Sequence, residues 1–196
     1  SGIEEGGSHS GVYQVLLGEA DVREAISRSE AGQYDVLAAN RALAGAEIEL
    51  VQEIAREMRL KNALADVLDD YDFILLDCPP TLTLLTLNGL VAAEGVLVPM
   101  VCEYYALEGI SDLVATVRKI RQAINPRLDI IGIVRTLYNS QSRLSQEVSE
   151  QLQSHFGRQL FTTTIPRNVR LAEAPSHGLP ALAYDAKAKG TLAYLA

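Results

Sequence analysis

The apolar residues of this 196-residue chain gather in short runs, and longer amphipathic segments separate the runs. The runs predict strands over residues 34–39, 73–77, 95–101, 128–136 and 159–163. The run at 73–76 does not alternate between apolar and polar residues. That pattern is typical of a strand in a parallel sheet covered on both faces.

The amphipathic segments predict helices over residues 84–93, 107–124, 143–156 and 187–196, and a longer helix within residues 45–70. The apolar positions that suggest this longer helix are Ile48, Val51, Ile54, Met58, Leu64 and Leu68. Asn125-Pro126 and Gly157 end two of the helices. Strands that alternate with helices predict an α/β fold, with a mostly parallel sheet and helices on both faces.

The predicted strand at 73–77 ends on an acid, Asp77, and Pro79-Pro80 prevent the strand from continuing. In parallel α/β sheets, ligands bind just beyond the carboxyl ends of the strands. A carboxylate at that position can hold the magnesium shell of a bound nucleotide. An acid that only caps the strand or the following helix remains the alternative.

The composition fits one globular domain over residues 1–196, since 48% of the residues are hydrophobic. Cys78 and Cys102 have no neighbours at metal-ligand spacing and are expected to be small core residues. No stretch approaches the roughly 18 apolar residues of a membrane span. We therefore expect a cytoplasmic protein that makes no membrane contact.

The net charge of −8 is unevenly distributed. Residues 118–170 carry nine basic and three acidic side chains, a balance of +6, and the rest of the chain carries −14. A basic region on an acidic body fits binding to the phosphate backbone of nucleic acid. Arginines that are merely solvated on helix faces would give the same composition.

Four segments in this order resemble ParA/Soj-type chromosome and plasmid partition ATPases, a deviant P-loop family. They are LAGAEIEL (43–50), CPPTLTLLTLN (78–88), CEYYALEG (102–109) and IPRNVRLAEAPSHG (165–178). The resemblance extends over essentially the whole chain and implies a P-loop NTPase-like fold.

The resemblance also implies a function. The intact ATPase would bind ATP and Mg²⁺, form a homodimer around the nucleotides, and coat nucleoid DNA without sequence preference. A ParB-type centromere-binding partner would trigger hydrolysis and so drive segregation of chromosomal or plasmid DNA. The protein would then be cytoplasmic and associated with the nucleoid.

The resemblance assigns roles to particular residues. Asp77 would be the catalytic acid and metal-shell residue, and Thr81 and Thr83 would either sense the nucleotide or cap the next helix. The loop after the last strand would border the adenine, the loop after the 95–101 strand would form the dimer interface, and Arg170 would contact DNA. The residues of these two loops are, in that order, Pro166, Arg167 and Asn168, and Glu103, Tyr104 and Tyr105. An ordinary connecting loop is the alternative for both.

The chain departs from the family pattern in two respects. It contains no Gly-x-x-x-x-Gly-Lys-[Ser/Thr] P-loop, and its start, Gly2 to Gly11, has no lysine. We expect an N-terminal βαβ unit to be missing and the C-terminus to stop early, so that these residues alone do not hydrolyse ATP. A non-catalytic DNA- or partner-binding relative is the alternative.

The second departure concerns DNA. Relatives usually read Tyr-Asp-Ser-Arg where this chain reads Tyr138-Asn139-Ser140-Gln141, so a neutral side chain replaces a cation. Arg143, two residues further on, is the candidate to substitute for it in DNA binding.

Overall fold

Residues 10–196 are described in the computed structural model, and their contacts divide them into two units, residues 10–94 and residues 95–196. Most of the glycine-rich start, Gly2 to Gly11, lies outside the described residues. Each unit has its own elements and is treated separately below. The prediction of one domain over residues 1–196 stays a prediction.

The unit formed by residues 10–94 contains short helices and one hairpin. Its helices are α1 (Val12–Leu17), α2 (Val22–Ala25), α3 (Leu43–Leu50), α4 (Arg59–Leu64) and α5 (Leu84–Ala92). Strands β1 (Ile26–Ser29) and β2 (Tyr34–Leu37) pair antiparallel. The core of the unit comes from α1, α3 and α4, with Leu16, Leu50 and Leu64 among its buried side chains.

The prediction of one long helix within residues 45–70 is wrong. Helix α3 ends at Leu50, Ala55 adopts a left-handed conformation with φ of 51°, and a short 3₁₀ turn, Arg56–Met58, leads into α4. A left-handed residue interrupts the i→i−4 hydrogen bonds of a helix. Val51 and Ile54, which suggested a continuous apolar face, are 55% and 90% exposed.

The predicted buried strand at 73–77 is also not found among the described residues. Residues 73–77 have no strand partner, and Phe73 and Leu75 are 86% and 92% exposed. Ile74 and Leu76 pack against the core of their unit. An interior strand requires a hydrogen-bonded neighbour on each side, and without one only alternate side chains of this segment are covered.

The unit formed by residues 95–196 is the parallel α/β layer that the sequence predicts. Strands β3 (Gly95–Val101), β4 (Asp129–Tyr138) and β5 (Leu160–Pro166) form a parallel sheet in the order β3-β4-β5. Helix α6 (Ala106–Ala123) contacts β4, and α7 (Arg143–Phe156) contacts β5. Helices α8 (Val169–Glu173), α9 (Ala181–Tyr184) and α10 (Lys189–Leu195) follow.

The three parallel strands end at one edge of their sheet. Val101 of β3 pairs with Thr136 of β4, and Tyr138 of β4 pairs with Pro166 of β5. The segments that leave these strands, residues 102–105, 139–142 and 167–168, therefore start at the same edge. We call this edge, with these three segments, the carboxyl edge.

Candidate functional site

The first segment of the carboxyl edge presents two tyrosines to solvent. Tyr104 and Tyr105 are 67% and 78% exposed, and their rings meet edge to face with centroids 5.5 Å apart. The backbone N–H of Glu103 donates to the carbonyl of Val101 at 2.9 Å, which turns the chain toward α6. Exposed aromatic side chains suit a protein interface, and the dimer role of Glu103, Tyr104 and Tyr105 stays a prediction.

The second segment holds the start of α7 beside the first one. Ser142 caps α7 by accepting from the N–H of Ser145 at 3.3 Å, and the hydroxyl of Ser145 lies 3.5 Å from the carbonyl oxygen of Cys102. Arg143 thus stands on the first turn of α7 at the carboxyl edge. Its side chain is 91% exposed, and its Nε donates to Glu147 at 2.9 Å.

The third segment is ordered by its own side chain. Asn168 Oδ1 accepts from the backbone N–H groups of Arg170 and Leu171 at 2.9 and 3.4 Å and so caps α8. The amide Nδ2 of Asn168 donates to no described residue. Gly190 of α10 lies so close that a Cβ there would come within 2.4 Å of Leu171. Helix α10 therefore packs closely against Asn168 and Leu171, and the absence of a side chain at Gly190 allows this contact.

Arg170 is held by two acids rather than presented free. Its Nη1 donates to Glu173 Oε2 at 2.9 Å, and its Nε lies 3.6 Å from Asp185 Oδ2. The hydrogen bond from the guanidinium to Glu173 raises the pKa of Arg170 further above its already high value. Arg167 is also exposed, and it forms no hydrogen bond or ion pair with the described residues.

Asp77 lies in the other unit, in the extended segment before α5. It is exposed and makes no hydrogen bond or ion pair with another described residue. Thr83 is the N-cap of α5 and accepts from the N–H of Thr86 at 3.4 Å, so the capping alternative holds for this threonine. Cys78 is exposed, so the expectation that it is a core residue is wrong, whereas Cys102 is buried. Partial burial of the Cys78 thiol, followed by the charge of Asp77, still raises the pKa of Cys78, which disfavours thiolate chemistry beside the acid.

The side chains available fit a nucleotide-bound magnesium ion better than a closed protein metal site. No group of three or more His, Cys, Asp or Glu residues in the described part of the chain can hold a metal ion. Mg²⁺ usually takes one or two carboxylates, with phosphate oxygens and water as its other ligands. The open carboxylate of Asp77 fits the role of such a single protein ligand.

Sequence reasoning missed the two acids at Arg170. Glu173 lies at i+3 on the same short helix, a spacing that brings side chains together, and it was therefore detectable. Asp185 is fifteen positions away and becomes a neighbour only because residues 174–184 fold back.

Among the described residues, no helix is long and apolar enough to cross a membrane.

Comparison with known proteins finds a matching family model and relatives that are Soj proteins. A family model described as an AAA domain matches residues 1–130. The sporulation initiation inhibitor protein Soj of Bacillus subtilis is 46% identical over 194 residues, which cover 99% of this chain and 77% of that protein. The chromosome-partitioning ATPase Soj of Treponema pallidum is 47% identical over 183 residues, which cover 93% of this chain and 72% of that protein.

Solved structures share the fold. The crystal structure of a cobyrinic acid a,c-diamide synthase from Mycobacterium smegmatis, with bound ATP analog and magnesium, has 37% sequence identity to this chain and a TM-score of 0.75. The match covers 89% of this chain and 68% of that one. Relatives of this identity and coverage, together with the parallel sheet and its carboxyl edge, show that the chain belongs to the ParA/Soj-type partition ATPases, a family with a P-loop NTPase fold.

Proposed function

We propose that this chain is the body of a partition ATPase that segregates chromosomal or plasmid DNA by ATP-dependent dimerisation and sequence-independent DNA binding. The observation that carries the proposal is the carboxyl edge, where three parallel strands release their polar loops side by side. Ligands of open α/β sheets bind at such edges. The cellular site we propose is the cytoplasm, on the nucleoid.

The nucleotide would be ATP with Mg²⁺, and two places in the chain would serve it. Pro166, Arg167 and Asn168 would border the adenine, because the Asn168 amide keeps a donor for a base edge while its oxygen caps α8. Asp77 would be the protein ligand in the magnesium shell and the acid on which hydrolysis depends. When bound, Mg²⁺ would neutralise charge on the phosphate oxygens.

Two macromolecular contacts complete the proposal. Tyr104 and Tyr105, with Glu103, would pack against a second copy of the chain in the ATP-bound dimer, since exposed paired aromatics favour an interface. Arg170 and Arg143 would contact the phosphates of duplex DNA. A ParB-type centromere-binding protein would be the partner that triggers hydrolysis.

The DNA assignment predicts a specific salt response. Arg170→Ala is expected to weaken binding to two duplexes of unrelated sequence about equally and to reduce the log–log salt slope by about one unit per chain. Gln141→Arg is expected to strengthen binding, because it adds a cation at the carboxyl edge. Fluorescence anisotropy of labelled duplexes over a salt series measures both effects.

The control for this experiment is Arg158→Ala. Arg158 is exposed and precedes β5, so it lies at the opposite edge of the sheet from Pro166. This variant removes the same charge and is expected to change the affinity much less. Equal losses in the Arg170 and Arg158 variants, or strong discrimination between the duplexes, would refute the footprint at the carboxyl edge.

The nucleotide assignment predicts that the 196-residue chain by itself releases no phosphate from ATP and Mg²⁺ beyond the level of Asp77→Ala. The reason is that phosphoryl transfer requires backbone N–H groups and a lysine around the phosphates, which a Gly-x-x-x-x-Gly-Lys-[Ser/Thr] loop supplies and these residues lack. A phosphate-release assay on both proteins is the measurement. Release that the Asp77 variant abolishes would contradict the prediction and assign hydrolysis to this chain.

A further inference from the structure

Arg170 belongs to an ionic cluster with Glu173 of its own helix and with Tyr184 and Asp185, which the fold brings back to it. Glu173 Oε2 accepts from Arg170 Nη1 at 2.9 Å and from the hydroxyl of Tyr184 at 3.2 Å. Asp185, directly after Tyr184, lies 3.6 Å from Arg170 Nε through one carboxylate oxygen. One arginine therefore faces two carboxylates, so the cluster carries a net negative charge.

Glu173 and Asp185 also have partners other than Arg170. The ring of Tyr184 stacks on His177 with centroids 4.9 Å apart and planes 24° apart. Asp185 Oδ1 accepts from the backbone N–H of Lys187 at 3.1 Å. Glu173 and Asp185 thus each accept one further hydrogen bond, from Tyr184 and from Lys187, that does not involve Arg170.

The other proposed DNA contact is held differently. Arg143 pairs with one acid, Glu147, on its own helix, and its side chain is 91% exposed, against 55% for Arg170. Exposed ion pairs contribute little net stability, so a DNA phosphate can replace a carboxylate as the partner of either arginine. At Arg170, however, two carboxylates would remain next to the arriving phosphate, and each has a further hydrogen bond of its own.

We infer that Glu173 and Asp185 are positioning residues that compete with DNA phosphate for Arg170 and thereby keep the DNA affinity of this chain low. The inference rests on the proposed DNA contact of Arg170. Weak DNA binding then has two causes, the carboxylates of Glu173 and Asp185, which act as counter-ions of Arg170, and the neutral side chain of Gln141. Removing the counter-ion is expected to tighten binding, although no positive charge is added.

The experiment compares Glu173→Gln with wild type in the same salt titration on labelled duplexes. A unit charge about 6 Å from a phosphate in water changes affinity roughly threefold, so we expect binding to tighten by roughly that factor or more. In wild type, DNA binding would separate Glu173 from Arg170, and the released carboxylate would take up a cation from solution. The Glu173→Gln variant has no such uptake, so its salt slope is expected to be steeper by up to about one unit. Asp185→Asn is expected to act in the same direction and more weakly, since its contact is longer.

Glu150→Gln is the matched control. Glu150 is an exposed acid of α7 whose side chain forms no hydrogen bond or ion pair with the described residues, so this variant removes one negative charge without freeing an arginine. Its salt slope is expected to equal that of wild type. In the Arg170→Ala background, Glu173→Gln is expected to have no larger effect than Glu150→Gln, as a double-mutant cycle requires of residues that act through each other.

The outcomes separate this inference from the function on which it rests. If Arg170→Ala weakens binding but Glu173→Gln acts no differently from Glu150→Gln, the competition is refuted and the DNA contact stands. If Glu173→Gln weakens binding, Glu173 orients Arg170 instead, and the inference is also refuted. If Arg170→Ala has no effect on affinity, the DNA contact and the inference fall together.

Discussion

Replacing Asn88 by alanine is expected to lower the free energy of unfolding by about 3 kcal/mol, because it removes three hydrogen bonds from a buried site. Asn88 is 1% exposed. Its Oδ1 accepts from the backbone N–H of Leu60 at 3.1 Å, and its Nδ2 donates to the carbonyls of Arg56 and Leu84 at 2.9 and 3.0 Å. Urea denaturation followed by circular dichroism measures the loss.

The large effect follows from where the Leu60 N–H lies. Leu60 is in the first turn of α4, where N–H groups have no partner within the helix, and the N-cap residue Met58 provides no side-chain acceptor. Asn88 supplies that acceptor from α5. Without it, the N–H stays buried and unsatisfied, which alone costs about 1–3 kcal/mol.

Asn62→Ala is the control for this prediction. Asn62 is an exposed asparagine of α4 whose side chain forms no hydrogen bond with the described residues. We expect this substitution to change stability by no more than about 0.5 kcal/mol. An Asn88 variant as stable as the Asn62 variant would mean that water or a rearranged backbone satisfies the Leu60 N–H.

Replacing Arg135 by leucine is expected to lower the free energy of unfolding by about 2 kcal/mol, since three charged hydrogen bonds that join β4 to α7 and β5 are lost. Arg135 Nη1 donates to Ser149 Oγ of α7 at 2.7 Å. Its Nη2 donates to the carbonyls of Phe161 and Thr162 on β5 at 2.7 and 3.1 Å. Thermal or urea unfolding monitors the change.

The pairing of β4 with β5 explains why these carbonyls are available. Ile133 pairs with Leu160 and Arg135 pairs with Thr164, so β5 has two more residues than β4 over this interval. The extra residues interrupt the regular register, and the guanidinium binds the carbonyl oxygens of Phe161 and Thr162 at this place. The expected loss of free energy of unfolding is smaller than for a fully buried arginine, because Phe161 and Thr162 are exposed and their carbonyl oxygens can bind water.

Arg135→Lys distinguishes the shape of the guanidinium from its charge. A lysine keeps the charge but lacks the planar fork that reaches α7 and β5 together, so we expect it to lose most of the 2 kcal/mol as well. Arg118→Leu, at an exposed position of α6, serves as the control for removing a cation. Full stability of Arg135→Lys would show that charge, rather than the fork, supports the β4–β5 pairing.

Where local signals agreed, the sequence was sufficient. The predicted helix at 143–156 matches α7, because amphipathic spacing and the terminal Gly157 indicate it. The predicted strand at 95–101 matches β3, because it is a short apolar run. The predictions at 45–70 and 73–77 are wrong for a shared reason. The helical spacing of Val51 and Ile54 and the apolar side chains of Phe73 and Leu75 show only which element a segment can form. Whether the element forms depends on burial by neighbouring residues, and all four side chains are exposed.

The candidate site shows the same division. That the loops after β3, β4 and β5 meet at one edge follows from the parallel order of the strands, which the alternation of strands and helices already predicts. The cap that Asn168 provides for α8 is a local signal of the same kind. The roles of Asp77 and of the tyrosine pair at 104–105 remain predictions.

The sequence by itself therefore determined the α/β alternation, the parallel order of the 95–196 unit and the family. Only the tertiary structure decided that Ala55 breaks a helix, that Asn88 caps another one, and that Asp185 joins Glu173 at Arg170. The physical reason is range. Periodicity and capping act over a few residues, whereas these contacts join residues up to 28 positions apart and depend on how helices and turns pack.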